Sequence, residues 1–242
     1  MKRFGLIGKS LGHSFSKAFF TKYFANEGIE ATYDNVELMD INELNEVKSA
    51  YKGFNVTIPY KESIMPLLDE ISEEAKNIGA VNTVVVKDDK CIGYNTDAYG
   101  FHQSIKPFLT NKHERALILG TGGASKAIAY VLEGLGVDVI YLSRNPKGSN
   151  EFSYAEVNEN MLSACKLIVN CTPVGTFPDV DKMPSFELAG IGSEHLVVDL
   201  IYNPEKTKLL SEAEKLGAAI LNGESMLRMQ ALRSYEIWNQ DV

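Results

Sequence analysis

The stretch Leu117-Ile-Leu-Gly-Thr-Gly-Gly-Ala-Ser125 constrains this chain more than any other segment. Residues 115–119 read as an apolar strand, the glycines as a tight turn, and 124–135 as an apolar helix. Glycines at such a turn let a pyrophosphate approach backbone N–H groups at a helix N-terminus, where the helix dipole adds partial positive charge. Gly120, Thr121, Gly122, Gly123, Ala124 and Ser125 are therefore candidate dinucleotide-binding residues. Position 125 is Ser where a strict G-x-G-x-x-G has Gly, and a small residue there still serves helix–strand contact.

The next strand, 137–142, chooses within that cofactor class. Its one acidic residue, Asp138, stands at the beginning, on the wrong edge for a ribose. Its far end carries Ser143, Arg144 and Asn145. A carboxylate there would bind a ribose 2′-hydroxyl and repel a 2′-phosphate; a guanidinium pairs with the phosphate and stacks on adenine. The expectation is NADP. Further strands at 167–170, 196–200 and 218–221 alternate with helices at 158–164 and 206–216, which predicts a doubly wound parallel sheet.

The first hundred residues form a second α/β pattern. Strands are expected at 3–7, 32–38 and 53–58, helices at 17–27, 42–50 and 64–68, and Ser72 as the cap of a short helix. A hairpin over 81–87 and 91–94 turns at Asp88-Asp89. A helix is expected over 96–109, and a last amphipathic helix over 225–238 after Gly223. Tyr235 and Trp238 on it are either core or interface.

The 242 residues carry a net charge of −8, which argues against nucleic acid or an anionic membrane as the main partner. Three cysteines, Cys91, Cys165 and Cys171, show no metal-ligand spacing and leave an odd thiol, so a reducing compartment and no metal are expected. The short apolar run after Lys2 and Arg3 predicts neither leader nor membrane span, hence a cytoplasmic protein.

Polar groups cluster outside the glycine-turn region. Gly12-His-Ser14-Phe-Ser16 places two hydroxyls after the first strand, where they either hold a small carboxylate or cap the next helix. In Asn55-Val-Thr57-Ile-Pro-Tyr-Lys61, Asn55 and Thr57 alternate to one side of a strand that Pro59 terminates, delivering Lys61 into a loop. A lysine in a cleft can serve as general acid or base, and Asp97 is the carboxylate expected to orient it. Ala80-Val-Asn82-Thr, Gly93-Tyr-Asn95-Thr-Asp97 and Gln230 within the last helix add polar side chains.

These motifs occur in the order found in one family. H-S-x-S after a glycine, N-V-T-x-P-x-K, A-V-N-T, G-x-N-T-D, G-x-G-G-A-S, an arginine after the second strand, T-P-x-G, D-x-x-Y-x-P-x-x-T and G-x-x-M-L-x-x-Q-A run nearly end to end. The chain resembles the shikimate dehydrogenase family. That resemblance implies an N-terminal α/β substrate domain over 1–98, completed by a C-terminal helix over 223–242, and a Rossmann-like NADP-binding domain over 99–222. It implies NADP-dependent, reversible reduction of 3-dehydroshikimate to shikimate in aromatic amino acid biosynthesis, by a protein that is a monomer or homodimer.

The same resemblance implies that Ser14 and Ser16 bind the substrate carboxylate. Asn55, Thr57, Asn82, Asp97 and Gln230 would contact ring hydroxyls and the reacting oxygen, with Tyr202 nearby. Lys61 and Asp97 would be catalytic. Glu73, Leu200 and Gly223 would join residues 120–125 and 143–145 in holding the cofactor. The usual N-R-T reads Ser143-Arg-Asn145 here, with Lys147 the nearest further cation. The alternatives are a quinate/shikimate dehydrogenase preferring NAD, a catalytically idle, ligand-sensing relative, and a folate-linked dehydrogenase of similar two-domain layout, which would not need Ser14, Ser16 and Gln230 together.

Overall fold

The computed structural model describes residues 1–12 and 14–240. His13 of the serine motif and the last two residues of the expected 223–242 segment lie outside the described residues. The chain divides into two compact units: Met1–Thr96 with Gln230–Val242, and Asp97–Met229.

The first unit runs β1 (Lys2–Gly8), α1 (Phe15–Asn26), β2 (Ala31–Glu37), α2 (Leu44–Val47), β3 (Gly53–Val56), α3 (Tyr60–Ser63), β4 (Glu70–Ile71), α4 (Glu73–Ile78), β5 (Thr83–Lys87) and β6 (Lys90–Tyr94). Its sheet order is β2-β1-β3-β5-β6-β4. β1 pairs parallel with β2 and β3, whereas β5 lies antiparallel to β3 and to β6. Both faces are buried. Ile7, Phe54, Val56, Val84 and Val86 pack on one side, and Phe4, Leu6 and Val85 on the other.

The second of those faces explains Trp238. Its ring stacks on Phe4 at 4.6 Å between centroids, and its indole N–H donates to the Val84 carbonyl at 3.0 Å. Gly53 lies directly beneath, where a Cβ would strike the indole. Trp238 is core, and truncating such a residue to Ala costs about 3–5 kcal/mol.

Short elements replace two expected helices. Residues 42–50 split into a 3-10 turn at Ile41–Glu43, α2 and a second 3-10 turn at Lys48–Ala50. An Asp40–Glu43 capping box closes the first of these. The helix expected at 64–68 is instead α3 followed by a 3-10 turn at Met65–Leu67, because Pro66 has no N–H for an α-helical bond. The hairpin turn is as read, with Asp88 and Asp89 both at positive φ (49° and 64°), as a two-residue turn between β5 and β6 demands.

The second unit runs α5 (Asp97–Ile105), β7 (Arg115–Leu119), α6 (Gly123–Gly134), β8 (Asp138–Leu142), β9 (Glu151–Phe152), α7 (Glu159–Ala164), β10 (Leu167–Asn170), β11 (Leu196–Asp199), α8 (Lys208–Lys215), β12 (Ala219–Leu221) and the start of α9 (Glu224–Trp238). Pro107 cuts the expected 96–109 helix, leaving α5 and a 3-10 turn at Lys106–Phe108. The sheet order is β12-β11-β10-β7-β8-β9, with every pair parallel. Counted from β7 as the first strand, that is the 3-2-1-4-5-6 order of a doubly wound nucleotide-binding sheet, with its switch point between β7 and β10. Leu117, Ile118 and Leu119 are all fully buried, as strands covered on both faces must be.

Among the described residues no helix is long and apolar enough to cross a membrane, and no cluster of three His, Cys, Asp or Glu could hold a metal. Two buried histidines hold the second unit's loops. His113 Nδ1 accepts the Thr110 N–H at 3.0 Å, and His195 Nδ1 accepts the Gly192 N–H at 3.1 Å. Protonating His113 Nδ1 would break its bond to the Thr110 N–H. Burial lowers the His113 pKa, His195 lowers it further, and a hydrogen bond to the Glu194 backbone opposes them. With the folded pKa below the unfolded value of 6.5, the unfolded chain binds more protons as pH falls. The stabilisation is therefore full above about pH 6.5 and is lost below it. Between about pH 7 and pH 5 His113→Asn, whose Oδ1 can accept the same N–H, should lose less stability than the parent, read as a melting temperature that rises relative to the parent's as pH falls. An unchanged slope in the variant would refute the assignment.

Candidate active site

In the first unit, strand direction gathers the polar side chains. Thr57 follows the carboxyl end of β3. Because β5 is antiparallel to β3, its beginning lies at that same edge, with Thr83 paired to Asn55, so Asn82 arrives there too. β6 then returns Tyr94 opposite Thr83, bringing Asn95 and Thr96. Lys61 sits in α3, half-buried, and its carbonyl accepts the Val81 N–H at 2.7 Å, which ties α3 to the same strand end. Gln230 joins from α9 through its Oε1, 3.4 Å from Asn82 Nδ2 and 3.3 Å from Thr96 Oγ1.

The serines divide their tasks. Ser14 is the N-cap of α1, its oxygen accepting the Lys17 N–H at 3.2 Å. Ser16 lies near the start of α1, buried, with its hydroxyl beside the Tyr33 phenol. Tyr33 is itself buried, and desolvation raises its pKa far above the ordinary range, so it keeps its proton.

Asn55, expected to contact the substrate ring, lies enclosed in the first unit. It is 4% exposed, and its amide is engaged inside the protein: Oδ1 accepts from Tyr33 at 2.8 Å, and Nδ2 donates to Ser234 at 2.8 Å and Thr83 at 3.2 Å. Glu73, the first residue of α4, is exposed and forms a 3.0 Å ion pair with Lys76. Sequence reasoning met Thr83 and Thr96 only as members of their motifs and passed over Tyr33 and Ser234, because a hydroxyl carries no mark of what it will face.

In the second unit the glycine turn has the geometry its pattern suggests. Gly120 takes φ +99°, a conformation costly for other residues, and its amide donates to the Leu142 carbonyl at 2.9 Å. Gly122 is the N-cap of α6, and a Cβ there would meet open space. No side chain caps that helix and no acidic residue occupies its first turn, so its leading N–H groups are available to an anion. Ser125 is fully buried, its hydroxyl donating to the Gly122 carbonyl at 2.6 Å. These features fit a dinucleotide pyrophosphate.

At the end of β8, Ser143 is buried and accepts the Asn145 N–H at 3.2 Å, which curls the chain and leaves Arg144 exposed. Asp138 begins β8 and pairs with Arg115 at 3.4 Å, at the opposite edge of the sheet. Leu200 and Gly223 come together: a Cβ on Gly223 would collide with the Leu200 carbonyl. Tyr202 is half-buried just beyond, in the loop after β11. Asp199 anchors that loop, accepting from Asn170 Nδ2 at 3.0 Å, the Ile201 N–H at 3.1 Å and Thr207 Oγ1 at 2.7 Å. Burial pushes its pKa up to about 6 against those three donors. Asp97 is buried at the start of α5.

Residues 6–84 match the model of the shikimate dehydrogenase substrate binding domain. A relative from Caldicellulosiruptor saccharolyticus, named shikimate dehydrogenase (NADP(+)), is 41% identical, with 98% of this chain and 92% of that protein covered. The structure of shikimate 5-dehydrogenase from Thermus thermophilus, in complex with NADP(H) and shikimate, superposes with a TM-score of 0.87 at 32% identity, covering 99% of this chain and 94% of that one. Quinate dehydrogenase from Corynebacterium glutamicum, in complex with NAD, gives 0.86 at 28% identity over 98% and 93% of the two chains. With near-complete coverage at this identity, the chain belongs to the shikimate dehydrogenase family.

Proposed function

We propose that this chain is an NADP-dependent shikimate dehydrogenase, reversibly reducing 3-dehydroshikimate to shikimate in aromatic amino acid biosynthesis. The observation that carries the reading is the polar edge of the first sheet. It collects Thr57, Lys61, Asn82 and Gln230 at strand ends and on the helices beside them, in a chain whose relatives of that activity match almost end to end. Residues 1–98 with the C-terminal helix form the substrate domain, and 99–222 the cofactor domain.

The leading N–H groups of α6 take the pyrophosphate, and Arg144 takes the 2′-phosphate. Thr121, Ala124, Asn145, Leu200, Gly223 and Glu73 complete the cofactor contacts. When bound, the nicotinamide supplies a hydride to the ketone carbon. The ketone oxygen then gains negative charge, and Lys61 stabilises it and delivers a proton, with Asp97 holding the lysine's charge and orientation. Ser14 and Ser16 bind the substrate carboxylate, while Thr57, Asn82, Gln230 and Tyr202 fix the hydroxylated ring. Many neutral contacts to one small ring place the reacting carbon and oxygen, and placement supplies much of the rate.

Steady-state kinetics should show turnover of shikimate with NADP, weaker use of NAD, and little activity on quinate; a preference for quinate and NAD would favour the other dehydrogenase of this fold. Arg144→Ala should raise the KM for NADP about tenfold and leave the NAD value within about twofold, since a charge-assisted contact to phosphate is lost. Lys61→Ala should leave shikimate binding largely intact while cutting kcat by at least about a hundredfold. Near-normal turnover in that variant would remove Lys61 from the mechanism.

A further inference from the structure

Behind the polar edge of the first unit lies a buried chain of hydroxyls and amides whose hydrogen-bond directions can be read from two backbone groups. The Thr96 N–H can only donate, and it points at Asn82 Oδ1 from 2.7 Å. That fixes the Asn82 amide with its NH2 toward Thr96 Oγ1, at 3.1 Å, and toward Gln230, at 3.4 Å. The Gln230 atom facing this donor must be an acceptor, its Oε1, which also lies 3.3 Å from Thr96 Oγ1, whose one proton is shared between it and Asn82 Oδ1 at 3.2 Å. The network takes up only the oxygen of Gln230.

The second fixed point is the Asn82 carbonyl, which can only accept. It receives Asn55 Nδ2 at 3.3 Å, so Asn55 Oδ1 faces the other way and accepts the Tyr33 proton. Asn55 Nδ2 also reaches Ser234 Oγ at 2.8 Å, and Ser234 gives its own proton to the main-chain carbonyl of Gln230, one turn earlier on α9, at 2.9 Å. Thr83 Oγ1 closes the circuit, 2.8 Å from Ser234 and 3.1 Å from Thr96. Asn55, Asn82, Thr83, Thr96, Gln230 and Ser234 are all buried. An unmade bond in such a place is costly, so the two amides that face backbone groups, Asn82 and Asn55, are held firmly.

We propose that Thr96, with the Ser234 hydroxyl 3.1 Å from its own and with Thr83, Asn55 and Tyr33 behind the two, is a positioning residue that holds the Gln230 side chain by its oxygen so that its NH2 is presented as a donor to an oxygen of the bound substrate. The inference rests on the functional reading above for the identity of that substrate. It moves Asn55 from a substrate contact to a member of the support. It also sets a chemical rule for the Gln230 subsite: the ligand group there must accept a hydrogen bond, as a hydroxyl or carbonyl oxygen does and an ammonium does not.

The test compares Thr96→Val, which keeps the shape and removes the hydroxyl, with Thr96→Ser, which restores it, and with Ser234→Ala from the helix side. Kinetics on the full-length enzyme should show Thr96→Val raising the KM for shikimate by about tenfold or more, with the KM for NADP within about twofold. Thr96→Ser should return shikimate KM to within about threefold of the parent. Crystal structures of parent and Thr96→Val should show the Gln230 side chain displaced or turned in the variant. A shikimate KM within about twofold of the parent in Thr96→Val and Ser234→Ala overturns the inference, as does an unmoved Gln230. Equal rises in both KM values, unrelieved by Thr96→Ser, also overturn it, because they report general damage. A parent that does not turn over shikimate refutes the functional reading instead, and the Gln230 geometry in the two crystal structures then judges the network alone.

Discussion

Where a β-strand stops, its ladder stops satisfying backbone N–H and C=O groups, and both units use that condition to place their chemistry. In the second unit, β7 ends at Leu119 and β10 at Asn170, and their continuations part at the switch point of the sheet. The first amide past each strand is still taken by a neighbour, Gly120 by the Leu142 carbonyl and Cys171 by the Leu119 carbonyl, and the uncovered donors are those at the start of α6. Gly120 turns the chain at φ +99°, and α6 begins without a side-chain cap. The result is a set of donors held by two rigid elements, which is what an anionic ligand needs.

The first unit meets the same condition with side chains. Its sheet is mixed, so strand beginnings and strand ends share one edge, and the amides and hydroxyls of Asn82, Thr83 and Thr96 stand together. The Thr96 N–H, released at the end of β6, is satisfied by the Asn82 side chain rather than by a strand. One backbone bond thereby orients an amide, and that amide orients Gln230. Loops alone would not hold such an arrangement, whereas here the members rest on β3, β5, β6 and α9.

Aromatic packing supplies the stability on which this edge depends. Trp238 sits between Phe4, Phe20 and Tyr33, and Gly53 is the residue that makes room for it. Ser234 lies one turn before Trp238 on α9, so anchoring the indole also sets the register of Ser234 and Gln230 against the sheet. The second unit has its own internal tie at Asp199, which joins the ends of β10 and β11 to the start of α8. Asp199 takes up protons on folding below about pH 6, a trend opposite in sign to that of His113, so the two partly offset each other in mild acid.

Much of this was legible in the chain itself. Apolar runs punctuated by glycine dictated the parallel sheet, because a strand–turn–helix repeat has few ways to bury both faces. The Asp88-Asp89 turn, the Ser72 cap and the Gly120–Ser125 segment follow from local backbone preference, which a sequence states directly. Short elements such as β4 and β9 were not legible, since two residues carry no periodicity and pair only because a neighbour offers an edge. The partners of Asn55 and Ser234 were decided by tertiary structure alone. Asparagine in a strand and serine in a helix look the same whether they face a ligand or one another. Only the folded sheet, by fixing which backbone group each amide meets, settles which way its donors point.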